Sequence, residues 1–204
     1  MFKQSLPGIK AISYVPCRLL SPNILEKYRA GVPIGIFAYS KSIEHYGNAS
    51  SKFYEIGRVA ENAVLSFRER VAKVIGAKTN EIYFTSSGYE ADNWAIKGIA
   101  DAYRERGNHI ITTQIEHHAI LGTCEFLEKR GFNVTYLPVD ENGIVNPDDV
   151  KNAITDKTIL ISIMTANNEI GSIQPIKEIS QIAKERKILF HTDAVQAIGH
   201  MDIN

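Results

Sequence analysis

His191-Thr192-Asp193 follows directly on the apolar run Ile188-Leu189-Phe190, and Gln196 lies three residues beyond the aspartate. A carboxylate at the end of a buried run is either a capping group open to water or a buried charge. In the second case it needs a positive partner, because an unpaired buried charge is expensive. A protonated pyridine nitrogen would serve, since a carboxylate beside it keeps the ring protonated and the protonated ring is the better electron sink. Gln196 reaches the same ligand if the segment curls.

Three other groups of residues invite chemistry. Glu116-His117-His118 offers imidazoles that can start a helix, stack on a flat ring or, with His191 and Asp193, hold a metal. The spacings match no common zinc pattern such as HExxH. Ser86-Ser87-Gly88-Tyr89 stands where a loop enters a helix, and free amides at a helix start bind phosphate. It is neither a GxGxxG nor a Walker loop. Asn167-Asn168, after a long apolar run, suit a turn; either side chain can also hydrogen-bond a ring substituent.

The elements that must hold these residues are legible from about residue 55. Ile56, Val59, Ala60, Ala63, Val64, Phe67, Val71 and Val74 recur at helical spacing, so residues 56–75 are expected to form an amphipathic helix that Gly76 ends. A short strand over 82–85 and a helix carrying Trp94, Ile99 and Tyr103 follow. Strands are expected at 109–113, 134–139, 158–165 and 188–191, with helices at 117–130, after Asn146-Pro147, and at 175–186. Such alternation predicts an α/β fold, a mostly parallel sheet flanked by helices. Ligands in such sheets bind beyond the carboxyl ends of the strands, where Ser87-Gly88, His117 and Asp193 are expected to fall. The first 50 residues lack periodicity and read as an arm, and 51–204 as the domain proper.

Formal net charge is zero, with 23 basic and 23 acidic residues, so no general attraction to nucleic acid or an anionic membrane is expected. No run approaches the roughly 18 apolar residues of a membrane span. Cys17 and Cys124 form no CxxC pair, which makes a reducing, cytoplasmic setting the default.

The order of these pieces resembles the class V, fold-type I enzymes that use pyridoxal 5′-phosphate, and among them the NifS/IscS type of cysteine desulfurase. The similar segments are YGNASS (46–51), Gly57-Arg58, EIYFTSSGYEADNWAIKG (81–98), HIITTQIEHHAIL (109–121), GFNVTYLPVDENGIV (131–145), TILISIMTANNEIGSIQPI (158–176) and HTDAVQAIG (191–199). The resemblance implies the large domain of the transferase fold. It implies that Asp193 pairs with the pyridine nitrogen and that His117 stacks on the ring as the catalytic histidine. Asn168 and Gln196 would sit near the ring hydroxyl, and Gly88 and Tyr89 would form the phosphate turn. The implied substrate is L-cysteine, which gives alanine and a persulfide on a cysteine thiolate for iron–sulfur or other sulfur delivery.

The departures set further expectations. Tyr89 stands where the family has a threonine whose hydroxyl holds the phosphate, so weaker phosphate binding is expected. Tyr54 stands where a histidine is common. The family's cofactor-binding lysine lies on the order of two dozen residues past this aspartate, whereas 11 residues follow Asp193 here. This predicts a fold that lacks its C-terminal domain, a chain inactive by itself, and work as a homo-oligomer or with a complementing chain. The other readings are a non-catalytic binding or assembly module, a selenocysteine lyase and an aminotransferase.

Overall fold

A computed structural model describes residues 47–51 and 53–201. The expected arm, with Cys17, lies outside the described residues apart from positions 47–50. The described chain divides into two compact units, of which Ser87–Ala197 is one.

The other unit contains helix α1 (Glu55–Val74), as its periodicity predicts. Gly76 takes the left-handed conformation (φ 61°), and Ala77 N donates to Ala72 O at 2.8 Å, which closes the last turn. Gly57 is buried, and a Cβ there would collide with the carbonyl oxygen of Ser51, so only glycine fits. A 3₁₀ turn, Thr79–Glu81, follows. The strand expected over 82–85 does not form. Ile82 is extended and buried, but Tyr83 and Phe84 are exposed and no described strand pairs with the segment. An apolar run supplies side chains for a strand; it does not supply the neighbouring edge.

The unit Ser87–Ala197 comprises α2 (Gly88–Ala102), β1 (His109–Thr113), α3 (His118–Glu128), β2 (Asn133–Leu137), α4 (Pro147–Ala153), β3 (Thr158–Ser162), α5 (Ile176–Glu185) and β4 (Leu189–His191). The four strands make a parallel sheet in the order β2-β1-β3-β4. The central strands β1 and β3 are buried throughout, because helices cover both faces. Ile110 and Leu160 pack with Ile96 of α2 and Ile120, Cys124 and Leu127 of α3. Ile111 and Ile161, one residue further along each strand, pack the other way, with Val150 of α4 and Ile179 and Ala183 of α5. The expected fold class, helices on both faces of a parallel sheet, is the observed one.

Local signals set the element ends. Ser87 Oγ accepts from Glu90 N and opens α2. Gly131 (φ 88°) closes α3, with Phe132 N donating to Leu127 O. Asn142-Gly143 turns the chain after β2, Gly143 at φ 72°. Asn146 Oδ1 accepts from Asp148 N at 2.9 Å, and Pro147 takes the first helical position of α4. Asn146→Ala is expected to lower stability by about 1 kcal/mol, read as a drop in the urea midpoint without a change in slope.

Candidate functional site

β1 continues to β2 on one side of the sheet and β3 to β4 on the other, so the strand order reverses between β1 and β3. The loops leaving such a pair diverge and open a crevice beyond the strand ends. Glu116 is buried there. Thr113 Oγ1 donates to its Oε1 at 2.7 Å, and Met164 N, just past β3, donates to Oε1 and Oε2 at 3.0 and 3.1 Å. Burial pushes its carboxyl up to about 8; the two donors oppose the shift, and the nearby Asp193 and Asp92 add to it.

Asp193 lies two residues past the end of β4 and is buried. Backbone bonds hold its segment to the chain after β3: Ile163 N donates to His191 O (3.1 Å) and Thr165 N to Asp193 O (2.8 Å). The hydroxyls of Thr165 and Thr192 meet at 2.8 Å. Val195 N donates to Asp193 Oδ1 at 3.0 Å. Burial raises the Asp193 carboxyl above its usual value and Asp92 raises it further; the Val195 amide, His191 and His117 act in the opposite direction. Asp193 is thus a buried carboxylate with a net need for positive charge, close enough to His117 for that ring to be felt.

His117 is the N-cap of α3. Its Nδ1 accepts from Ala119 N at 3.2 Å, which leaves Nε2 with the proton of the neutral ring and the ring itself exposed. His117 thus caps α3 while its ring stays open to solvent. Gly88 and Tyr89 are the first two residues of α2, and their amides have no partner within the helix. The Tyr89 hydroxyl reaches to 3.8 Å from where a Cβ on Gly122 would lie, so its exposed ring spans toward α3. One turn further along α2, Asp92 meets His191 at the end of β4 (3.6 Å), which brings the start of α2 to the same end of the sheet as Asp193.

The two adjacent asparagines divide the work. Asn167 is buried and makes the turn: Oδ1 accepts from Glu169 N and Ile170 N at 2.8 and 3.0 Å, and Nδ2 donates to Ile115 O at 2.8 Å. Asn168 is left exposed. Gln196 is also exposed, on a turn in which Ala197 N donates to Ala194 O, so the segment does curl after Asp193. The metal alternative gains nothing from this geometry. Glu116 and His191 spend their lone pairs on neighbours, and no cluster of three or more potential ligands exists among the described residues. Cys124 is fully buried, and burial pushes its thiol up to about 12, so it packs as an apolar side chain. Asp92 and Ser162, which contact His191, did not stand out in the sequence. The one clue was a carboxylate at a helical position followed on the next two turns by the apolar Ile96 and Ala100.

Residues 37–204 match the aminotransferase class-V family. The chain belongs to that family. It is 65% identical over 161 residues to the cysteine desulfurase IscS of Clostridium botulinum, covering 79% of this chain and 40% of that protein. It is 64% identical over the same length to the cysteine desulfurase IscS of Methanosarcina thermophila, again covering 79% of this chain and 40% of the relative. Among solved structures it is similar to a NifS-like protein (TM-score 0.79, 37% identity, 91% of this chain and 48% of that one). It is also similar to SspA in complex with cysteine (TM-score 0.77, 37% identity, 91% and 50%). The chain spans about two fifths of the length of these curated relatives. Class-V aminotransferases and cysteine desulfurases are pyridoxal-phosphate enzymes. No helix among the described residues is long and apolar enough to cross a membrane.

Proposed function

We propose that this chain supplies the cofactor-holding part of a cysteine desulfurase, which takes sulfur from L-cysteine and leaves alanine. The observation that carries the reading is Asp193: a buried carboxylate at the crevice, made costly by burial and by Asp92, beside an exposed imidazole. Pyridoxal phosphate fits this set of donors. Asp193 would hold a proton on the ring nitrogen, and His117 would pack on the ring face with its Nε2 proton available. The unpaired amides of Gly88 and Tyr89 would take the phosphate, and Asn168 and Gln196 would serve the ring hydroxyl. When bound, the cofactor supplies the electron sink for breaking bonds of the amino acid. On this reading residues 51–204 belong to a transferase large domain and 1–50 are an N-terminal arm. The protein would act in the cytoplasm, as a homo-oligomer or with a complementing chain, and deliver sulfur to iron–sulfur assembly or other acceptors.

Titration with pyridoxal phosphate tests this, followed by cofactor absorbance and by quenching of the single tryptophan, Trp94 on α2. Saturable binding is expected, together with a spectral change on adding L-cysteine; the absence of saturation would overturn the reading. Tyr89→Thr exchanges a phenol whose hydroxyl reaches toward Gly122 for a hydroxyl on Cβ, next to the amides at the start of α2. It is expected to tighten binding by about 1 kcal/mol, roughly five-fold.

A further inference from the structure

Behind Asp193 lies a row of buried polar side chains that the cofactor reading leaves unused. His191, the last residue of β4, is paired in register with Ser162, the last residue of β3. Both project to the face covered by α2 and α3, because Leu189 and Leu160, two residues earlier on each strand, pack on that face. Ser162 Oγ lies 2.8 Å from His191 Nδ1. On the opposite edge of the ring, Nε2 lies 3.6 Å from Asp92 Oδ1. Ser162 and Asp92 are 0% and 1% exposed and His191 is 8% exposed, so bulk water does not screen the three.

A core histidine with a hydroxyl on one nitrogen and a carboxylate near the other needs no function to explain it. The charges around this one ask for more. Asp92 and Asp193 are both buried, and Asp92 disfavours a negative charge on Asp193. Asp92 from α2 and Ser162 from β3 face His191, and the charge of Asp193, two residues along the chain, is felt by it. His117 and Glu116, from the connection between β1 and α3, also act within this crevice.

We propose that His191 is a positioning residue for Asp193: pinned by Ser162, it turns its Nε2–H to Asp92 and shields Asp193 from that carboxylate, so that Asp193 stays an anion toward the cofactor. Nε2 carries its proton whether the ring is neutral or charged, so the shielding does not depend on the ring's charge. For what Asp193 faces, the inference rests on the cofactor reading; the relay of Ser162, His191 and Asp92 is present in the chain alone.

The relay is therefore tested on the 204-residue chain without cofactor, with ¹⁵N NMR of the His191 ring and ¹³C NMR of the Asp193 carboxyl against pH. In the wild type Nε2 is expected to be protonated. His191→Asn keeps a polar atom for Ser162 but removes the Nε2–H. It is expected to raise the Asp193 midpoint by about one pH unit, a tenfold change in proton affinity. His191→Gln, whose amide reaches further toward Asp92, is expected to return most of that shift. An unmoved Asp193 midpoint in His191→Asn would overturn the proposal, since a histidine that only fills space has no such effect. Should that variant not fold, the wild-type ring decides: a bare Nε2 overturns the proposal and a protonated one supports it. Pyridoxal phosphate added to the same samples separates the two readings. Failure to bind with the shifts as expected removes the cofactor reading and leaves the relay, whereas unmoved midpoints remove the relay alone.

Discussion

Replacing Asp193 with alanine is expected to weaken pyridoxal-phosphate binding by about 2 kcal/mol or more, roughly 30-fold at least. The loss comes from leaving a ring proton buried without its counter-charge. Asp193→Asn should show most of the same loss, although the asparagine carbonyl can still accept the Val195 amide that Oδ1 now accepts. Stability should move in the opposite sense. Burial and Asp92 make the ionised carboxylate unfavourable in the fold, so the neutral asparagine should melt at or above the wild-type temperature. Cofactor titration and a thermal melt on the same sample check both halves. Binding within about threefold of wild type would show that no positive group of the ligand meets Asp193.

Glu116→Gln is expected to flatten the pH dependence of folding stability. The folded chain holds the Glu116 proton up to about pH 8, whereas an unperturbed glutamate releases it near 4.5. Between those values the folded state binds more protons than the unfolded one, so stability falls as pH rises. The contribution is whole below about pH 4.5 and gone above about pH 8, a change on the order of a few kcal/mol. Glutamine keeps an oxygen for Thr113 and Met164 and never ionises, so its variant should lose that slope and be the more stable protein at alkaline pH. Asp193, whose value is also raised, contributes in the same direction and remains in the variant. Urea unfolding across the range gives the slopes directly; identical slopes in the two proteins would show that Glu116 does not titrate in this window.

Much of this arrangement could be read from residue types. Asn146-Pro147, Gly76, Gly131 and Asn142-Gly143 act locally, through backbone conformation and short-range hydrogen bonds, and the structure uses each as expected. The parallel sheet followed from alternation and length. Residues 82–85 misled because a strand is a relation to a neighbour, and the apolar pattern of one segment cannot report its partner. The site divides along the same line. Asp193 was visible as a charge at the end of an apolar run, whereas the brace from Glu116 to Met164 and the contact from Asp92 to His191 join residues far apart in the chain. Asn167 and Asn168 are chemically identical neighbours, and only the fold distinguishes the one that makes the turn.

The strand order has a consequence in time as well as in space. β1 cannot take β3 as its neighbour until β2 and α4 have been laid down and carried past it, and β4 must then add on the far side. Each such pairing closes a long stretch of chain before any contact rewards it, which places parallel sheets among the slower topologies to assemble. The Glu116 brace exists only after β3 has paired with β1, and the Asp92–His191 pair only after β4 has added. A chain leaving the ribosome has no pocket until β4 is in place, so occupancy of the crevice reports the completion of this unit and not its progress.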